Sequence, residues 1–436
     1  METMSYGTSG TELKLEDETF LSDDFLRQLI NVGEVDILVG LPTHNNAKTV
    51  GSVVQTIRSG ILRSFPRERA VIINADGGSR DGTPELVTGV SIDDLRPASN
   101  LSALRTLHSI STKYDGSAGS GVALRTILAA AELLRAKACI VMSPESANLQ
   151  TESISNLLRP IYRDGFDLVA PTYRRHKFDG LLSTNLLYPM VRALYGVRIR
   201  EAYMPEFGFS GRLGSQFLGQ NGWHEGSDLD GIELRFTLAA ITGGYRICQS
   251  FLGEKEHVER RAADLVPALR QTVGALFSAL ESDFPVWSIV TGSKPIPTTG
   301  SEQELLLNPI RVNRKRLREM FSTGVAELQS VFQSILSPST LAELERIARL
   351  SEEEFHYPAE LWVRTVYEFA ASYQKSVINR DHIIQALAPL FRGRVFTFLV
   401  ENRNASASEV ENNIEGLCLE FERLKPYLLQ MWKSRE

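Results

Sequence analysis

Two short stretches place hydroxyl, amide and carboxylate groups directly behind apolar runs. Leu41-Pro42-Thr43-His44-Asn45-Asn46 follows VDILVG, and Asn74-Ala75-Asp76-Gly77-Gly78-Ser79-Arg80-Asp81-Gly82-Thr83 follows AVII. A carboxylate such as Asp76, at the end of a buried strand, can accept from the N–H of a nucleobase. Gly77 beside it lets the backbone come close to a ligand. Asn45 and Asn46 can hydrogen-bond a ribose or base in the same crevice. Each stretch alone also fits an ordinary β–α turn, where Asn, Asp and Gly belong in any case. Two of them on consecutive strands favour a shared ligand site. Further along, Arg174, Arg175, His176 and Lys177 precede Ser183, Thr184 and Asn185. That grouping suits a small anion, because Arg can clamp phosphate or carboxylate with two parallel hydrogen bonds. A solvated basic loop would read the same way.

The elements that must position these groups alternate. Apolar runs at 35–42, 70–78, 138–142 and 166–171 read as buried strands, with a weaker candidate at 104–110. Helical spacing is clear over 16–31, 48–61, 122–136 and 150–163. This rhythm predicts β–α units and a mostly parallel sheet, with ligands off the strand C-termini. Beyond residue 180 follow an amphipathic helix (181–195), a loop (200–211), a helix near 231–241, a strand (245–252) and a helix (264–281). The stretch TGSKPIPTTG at 291–300 reads as a linker. The expected organisation is an N-terminal helical extension (1–34), an α/β domain (35–290), a linker (291–302) and a helical C-terminal domain (303–436).

Composition narrows the function classes. The 436 residues carry 47 Lys+Arg against 53 Asp+Glu, a formal net charge of −6. Such a balance gives no general basic field, so nucleic acid is not an expected partner. Three well-separated cysteines, Cys139, Cys248 and Cys418, offer neither a disulfide framework nor a zinc ribbon. No run of about 18 apolar residues points to a membrane span. The polar first ten residues lack a signal pattern, so the expected location is the cytoplasm.

The order of motifs resembles one family. Pro42 to Asn46 resembles the P-x-x-N-E opening of GT-A glycosyltransferases, and Asp76 to Thr83 their D-D-G-S-x-D-G-T turn. Arg175-His176-Lys177-Phe178-Asp179-Gly180, Tyr188-Pro189, Arg192 to Gly196, Gly208-Phe209-Ser210-Gly211, Gly231-Ile232-Glu233 and Leu252-Gly253-Glu254-Lys255-Glu256-His257 are similar to segments of glucosyl- and mannosyl-3-phosphoglycerate synthases. The likeness spans roughly residues 35–282. It implies an α/β GT-A fold, with a mixed, mainly parallel sheet and flanking helices, plus the helical C-terminal region. It implies transfer of a hexose, with retention, from a nucleoside-diphosphate sugar to a small anionic hydroxy acceptor such as 3-phosphoglycerate or glycerate. Carried over, Pro42, Asn45, Asn46, Asp76, Gly77, Gly119 and Ser120 become donor-binding residues. Arg175, Lys177, Ser183 and Asn185 become acceptor-binding residues. Glu233 becomes the residue that orients or deprotonates the acceptor hydroxyl. Glu145 and His257 become ligands of Mg²⁺ or Mn²⁺. By residue type alone, Glu233 is a helix-start carboxylate and His257 a surface histidine in a charged run.

Four departures fall on the catalytic centre. Ser143-Pro144-Glu145 stands where the family has Asp-x-Asp, so the expected metal site is weakened. Ser120 stands in place of the lysine of a G-K-G motif, and Asn46 in place of Glu. Met204-Pro205 precedes Glu206 where relatives have Gly-Gly, which is expected to narrow the junction of donor and acceptor. The alternative is therefore a glycosyltransferase-like protein that binds a nucleotide sugar or a partner without transfer. The helical region also reads as an oligomerisation module, with a homodimer among the expected assemblies.

Overall fold

The computed structural model describes residues 20–89, 107–114, 120–146, 149–220, 231–255, 264–300 and 313–434. Eight strands form one sheet: β1 (Ile37–Thr43), β2 (Ala70–Asp76), β3 (Leu107–Lys113), β4 (Ala138–Val141), β5 (Leu168–Arg174), β6 (Phe207–Ser210), β7 (Ile247–Glu254) and β8 (Thr298–Thr299). Their order is β3-β2-β1-β4-β6-β5-β7-β8. All pairings are parallel except those of β6, which runs antiparallel to both β4 and β5. The architecture is thus α/β, with a mixed, mainly parallel sheet as expected.

β1 over Ile37–Leu41 and β2 over Ala70–Ile73 are uninterrupted apolar runs because both of their faces are covered. Ile37, Val39 and Leu41 face the helices Val50–Ser64 and Thr151–Tyr162, together with Ile72 and Ile140. Leu38, Val71, Ile73 and Cys139 face the helix Ser120–Leu133 and the larger core. Pro42 lies beyond the last β1–β4 pair, Gly40↔Val141, so its missing N–H leaves no gap in that ladder.

Two expectations change here. The predicted loop 200–211 contains β6, which is too short at four residues for alternation to be read. The predicted linker contains β8, which pairs Thr298 and Thr299 with Gln249 and Ser250, and Lys294 bridges to Val197. Pro and Gly mark that stretch as a breaker, but its threonines still complete the sheet edge.

The C-terminal helices share a continuous core with the sheet. One cluster runs from Phe25 and Ile127 to Trp362, Leu387 and Phe421. Buried polar ties reinforce it. Arg192, fully buried, reaches Glu422 at 2.8 Å and grips both oxygens of Glu415. The Lys425 ammonium donates to the carbonyls of Val290 (2.6 Å), Ala193 (3.2 Å) and Leu194 (3.4 Å). Trp362 Nε1 donates to the Asn185 carbonyl at 2.8 Å. Among the described residues one helix, Arg380–Glu401, is long and apolar enough to cross a membrane, and most of it is buried inside this bundle. All three cysteines are free and buried, with their thiols raised by desolvation.

Candidate active site

The turns after β1 and β2 leave the sheet side by side, because Thr43 pairs with Asp76 in register. They are joined at every step. Gly77 N–H donates to the Thr43 carbonyl at 2.8 Å. His44 Nδ1 lies 3.1 Å from the Gly77 carbonyl. Asn45, at φ 56°, donates its N–H to Ser79 Oγ (2.8 Å), and its Oδ1 accepts from Arg80 N–H (3.0 Å). Asn46 N–H donates to Thr83 Oγ1 at 2.9 Å, and Ala47 N–H to Asp81 Oδ2 at 3.0 Å. The Thr83 hydroxyl, and after it the Ala47 N–H, hold the Asp81 carboxyl below the usual range. Asn46 Nδ2 also lies 3.4 Å from Glu145 Oε1, which brings in the loop after β4. Pro42, Asn45, Asn46, Asp76, Gly77 and Glu145 therefore gather at one end of the sheet, the end where ligands of open α/β folds sit.

Asp76 holds this turn together from inside. Its carboxylate is 3% exposed. Gly78 N–H (2.9 Å) and Ser79 N–H (2.7 Å) donate to Oδ2. The Ser79 hydroxyl (2.6 Å) donates to Oδ1, and the Thr43 hydroxyl shares its proton between Oδ1 (2.9 Å) and Asn74 Oδ1 (2.7 Å). Four hydrogens fill the four lone-pair directions of a carboxylate. A direct contact from Asp76 to a nucleobase would have to share one of these places.

At three of the expected acceptor positions the side chains bond within the fold. Lys177 Nζ caps the chain behind the helix Arg380–Glu401, donating to the carbonyls of Arg403 (3.0 Å) and Ala405 (2.9 Å). The Ser183 hydroxyl donates to the Arg200 carbonyl at 3.0 Å. Asn185 is fully buried in a π-helical turn, with its Nδ2 on the Leu181 carbonyl at 3.2 Å. Lys177 thereby serves the junction with the helical region, whose approach no local pattern announces. Arg175 stays at the sheet end, 3.1 Å from Glu201 and 3.6 Å from Asp179. Burial raises the Glu201 carboxyl, against the pull of Arg175.

Glu233 opens the helix Ile232–Thr242. One turn later the Thr237 hydroxyl donates to the Ala202 carbonyl at 2.8 Å, which ties this helix to the loop carrying Glu201 and Glu206. In that loop Met204 turns fully into the core, so its bulk does not narrow the crevice. Ser120 begins the helix Ser120–Leu133. Gly119 and His257 lie outside the described residues.

A cluster that sequence reasoning did not single out stands beside the β4 turn. Glu206 is 2% exposed, and both its oxygens are taken. Ser146 donates to Oε1 and the Tyr173 hydroxyl to Oε2. Lys255 Nζ lies 2.9 Å and 3.0 Å from the two oxygens. Burial first, then the Glu206 charge, push the Tyr173 phenol well up. The only signal in the sequence was a lysine directly behind a buried strand.

Divalent Mg²⁺ or Mn²⁺ needs several hard oxygen ligands. Here the described donors offer Glu145, which is exposed, while the Ser143 hydroxyl accepts from Glu145 N–H at 3.3 Å. Glu206 already carries an ammonium. Among the described residues no group of three or more His, Cys, Asp or Glu is placed to hold a metal ion.

The mixed sheet, with paired turns side by side at its C-terminal end, is an open α/β fold. No protein-family model matches the chain, and no curated protein matches it. Solved structures similar to it include glucosyl-3-phosphoglycerate synthase from Mycobacterium tuberculosis with Mg²⁺ and UDP, at 19% identity and TM-score 0.41, covering 59% of this chain and 82% of that one. The same enzyme with phosphoglyceric acid gives 19% identity and TM-score 0.40, covering 57% and 79%. Mannosyl-3-phosphoglycerate synthase from Rubrobacter xylanophilus gives 16% identity and TM-score 0.41, covering 61% and 80%.

Proposed function

We propose that this chain is a glycosyltransferase that binds a nucleoside-diphosphate sugar at the joined turns 43–47 and 76–83. It moves the hexose to a small hydroxylated anion of the 3-phosphoglycerate or glycerate kind, with retention at the anomeric carbon. The observation that carries this reading is the mutual locking of the two strand-end turns, which makes one rigid crevice edge from two β–α loops. A pre-formed polar edge of this kind lowers the ordering cost of binding. Asn45 and Asn46 border the base and ribose. The helix that begins with Ile232 and Glu233 is tied to the loop 200–206 through Thr237, and in this reading Glu233 orients the acceptor hydroxyl. In a front-face transfer the departing diphosphate oxygen takes the acceptor proton, and fixed positive charge at that oxygen lowers the barrier.

The test is thermal unfolding with UDP-, GDP- and ADP-sugars, followed by release of the nucleoside diphosphate when 3-phosphoglycerate or glycerate is added. Stabilisation follows from linkage to the folded state. Stabilisation by one nucleotide sugar and acceptor-dependent release support the reading. Absence of stabilisation by all of them refutes it. A second reading, ligand binding without transfer, is favoured by one observation: Lys177, Ser183 and Asn185 are engaged in structural bonds. Stabilisation with no release under any acceptor would favour it.

A further inference from the structure

Lys255 is delivered to the crevice by a defect in the sheet. The pairing of β5 with β7 runs in step to Thr172↔Phe251, then jumps to Arg174↔Glu254. One extra residue therefore sits on β7, at Leu252-Gly253, and Gly253 has φ 101°. Only glycine takes that conformation readily. Because side chains alternate along a strand, a one-residue slip exchanges the faces of everything that follows. Lys255 N–H then donates to the Arg174 carbonyl at 3.1 Å, and its ammonium reaches Glu206. The ammonium also lies 4.8 Å from the centre of the Tyr173 ring.

The ammonium is fixed in place, and the Lys255 side chain keeps part of its surface exposed. Glu206 Oε1 accepts from Lys255 and from Ser146, so the charge lies against the loop that follows β4. The Glu206 side chain is 3% exposed and that of Lys255 28%. An ammonium has three N–H donors, and two of them serve Glu206. A divalent ion on two carboxylates and an ammonium on one carboxylate have the same net charge of zero, each with its positive pole outward. In this chain Ser143 removes one carboxylate from the β4 turn, and Glu206 with Lys255 supplies the second arrangement beside it.

We propose that Lys255, anchored on Glu206, is the cation that meets the diphosphate of the donor, in the role a divalent ion would otherwise fill. This rests on the reading that the crevice takes a nucleoside diphosphate. The experiment is calorimetric titration of the full chain with UDP, GDP and ADP and with the matching nucleosides, in excess EDTA and in excess Mn²⁺. The parent should bind its preferred diphosphate in EDTA within about threefold of its affinity in Mn²⁺. Lys255→Met should weaken the diphosphate about tenfold or more and leave the nucleoside within about twofold, while Lys255→Arg should stay near the parent. Since Lys255→Met leaves a buried carboxylate uncompensated, the double variant Glu206→Gln with Lys255→Met keeps that site neutral and should show the same loss. The proposal is overturned if EDTA weakens the parent about tenfold or more, or if the double variant binds the diphosphate as the parent does. A parent that binds no diphosphate in either buffer refutes the donor-site reading itself, and this proposal with it.

Discussion

Asp76→Asn separates two ways in which a carboxylate can serve a ligand. The substitution preserves shape but turns one acceptor oxygen into a donor NH₂. Whichever way the amide points, two of the four hydrogens aimed at Asp76 lose their acceptor: either the N–H groups of Gly78 and Ser79, or the hydroxyls of Ser79 and Thr43. Hydrogen bonds to a charged group contribute about 1.5–3 kcal/mol each. Water can reach part of the turn, so roughly half of the lost total remains, about 2 kcal/mol. An unfolding entropy of about 2.1 cal/mol/K per residue over 436 residues gives about 0.9 kcal/mol/K, so the expected fall in Tm is about 2 °C. Scanning calorimetry measures this, and nucleotide titration on the same samples measures affinity. The turn-fixing role requires both to fall together. A Tm equal to the parent's with affinity lowered about tenfold or more would refute it, because the carboxylate would then be bonding the ligand directly.

Other substitutions probe the frame around the site. Arg192→Met leaves Glu415 and Glu422 without their buried partner and should destabilise by about 3 kcal/mol, read as a lower urea midpoint. Gly231 has φ 72°, and a Cβ there would stand 1.9 Å from the Gln271 carbonyl oxygen. Gly231→Ala should therefore displace the helix of Glu233, costing about 2 kcal/mol or more and lowering turnover, where a parent-like midpoint would count against the close packing. Burial lowers the Lys425 ammonium from its ordinary 10.5 to about 8. The unfolded chain then holds that proton more tightly, so this group lowers stability below pH 8 and the penalty lifts as pH rises from about 8 toward about 10.5. Between pH 7.5 and 9.5, unfolding free energies from urea titrations of the parent should rise relative to Lys425→Met by about 2 kcal/mol, and parallel pH profiles would refute it.

Local chemistry announced the sheet and its ends. Ile37 to Leu41 and Ala70 to Ile73 are apolar at every position because helices cover both faces, and the Asn, Asp and Gly residues behind them had to be turns. The convergence of Asn45, Asn46, Asp76 and Glu145 at one sheet end followed from parallel strands alone. The sequence also showed that Ser143 breaks the usual carboxylate pair. Tertiary structure decided what each polar group bonds. Lys177, Ser183 and Asn185 looked like an anion site because their types suit one, but in the fold their side chains bond the carbonyls of Arg403 and Ala405, Arg200 and Leu181. Asp76 looked free because its partners, Thr43 and Ser79, come from two different turns. Lys255 looked like one charge in a solvated run, until a bulge at Gly253 turned it toward Glu206, 49 residues away in the chain. A single chain fixes which residues have hydrogen bonds to give, but only packing across long sequence separations fixes where those bonds go.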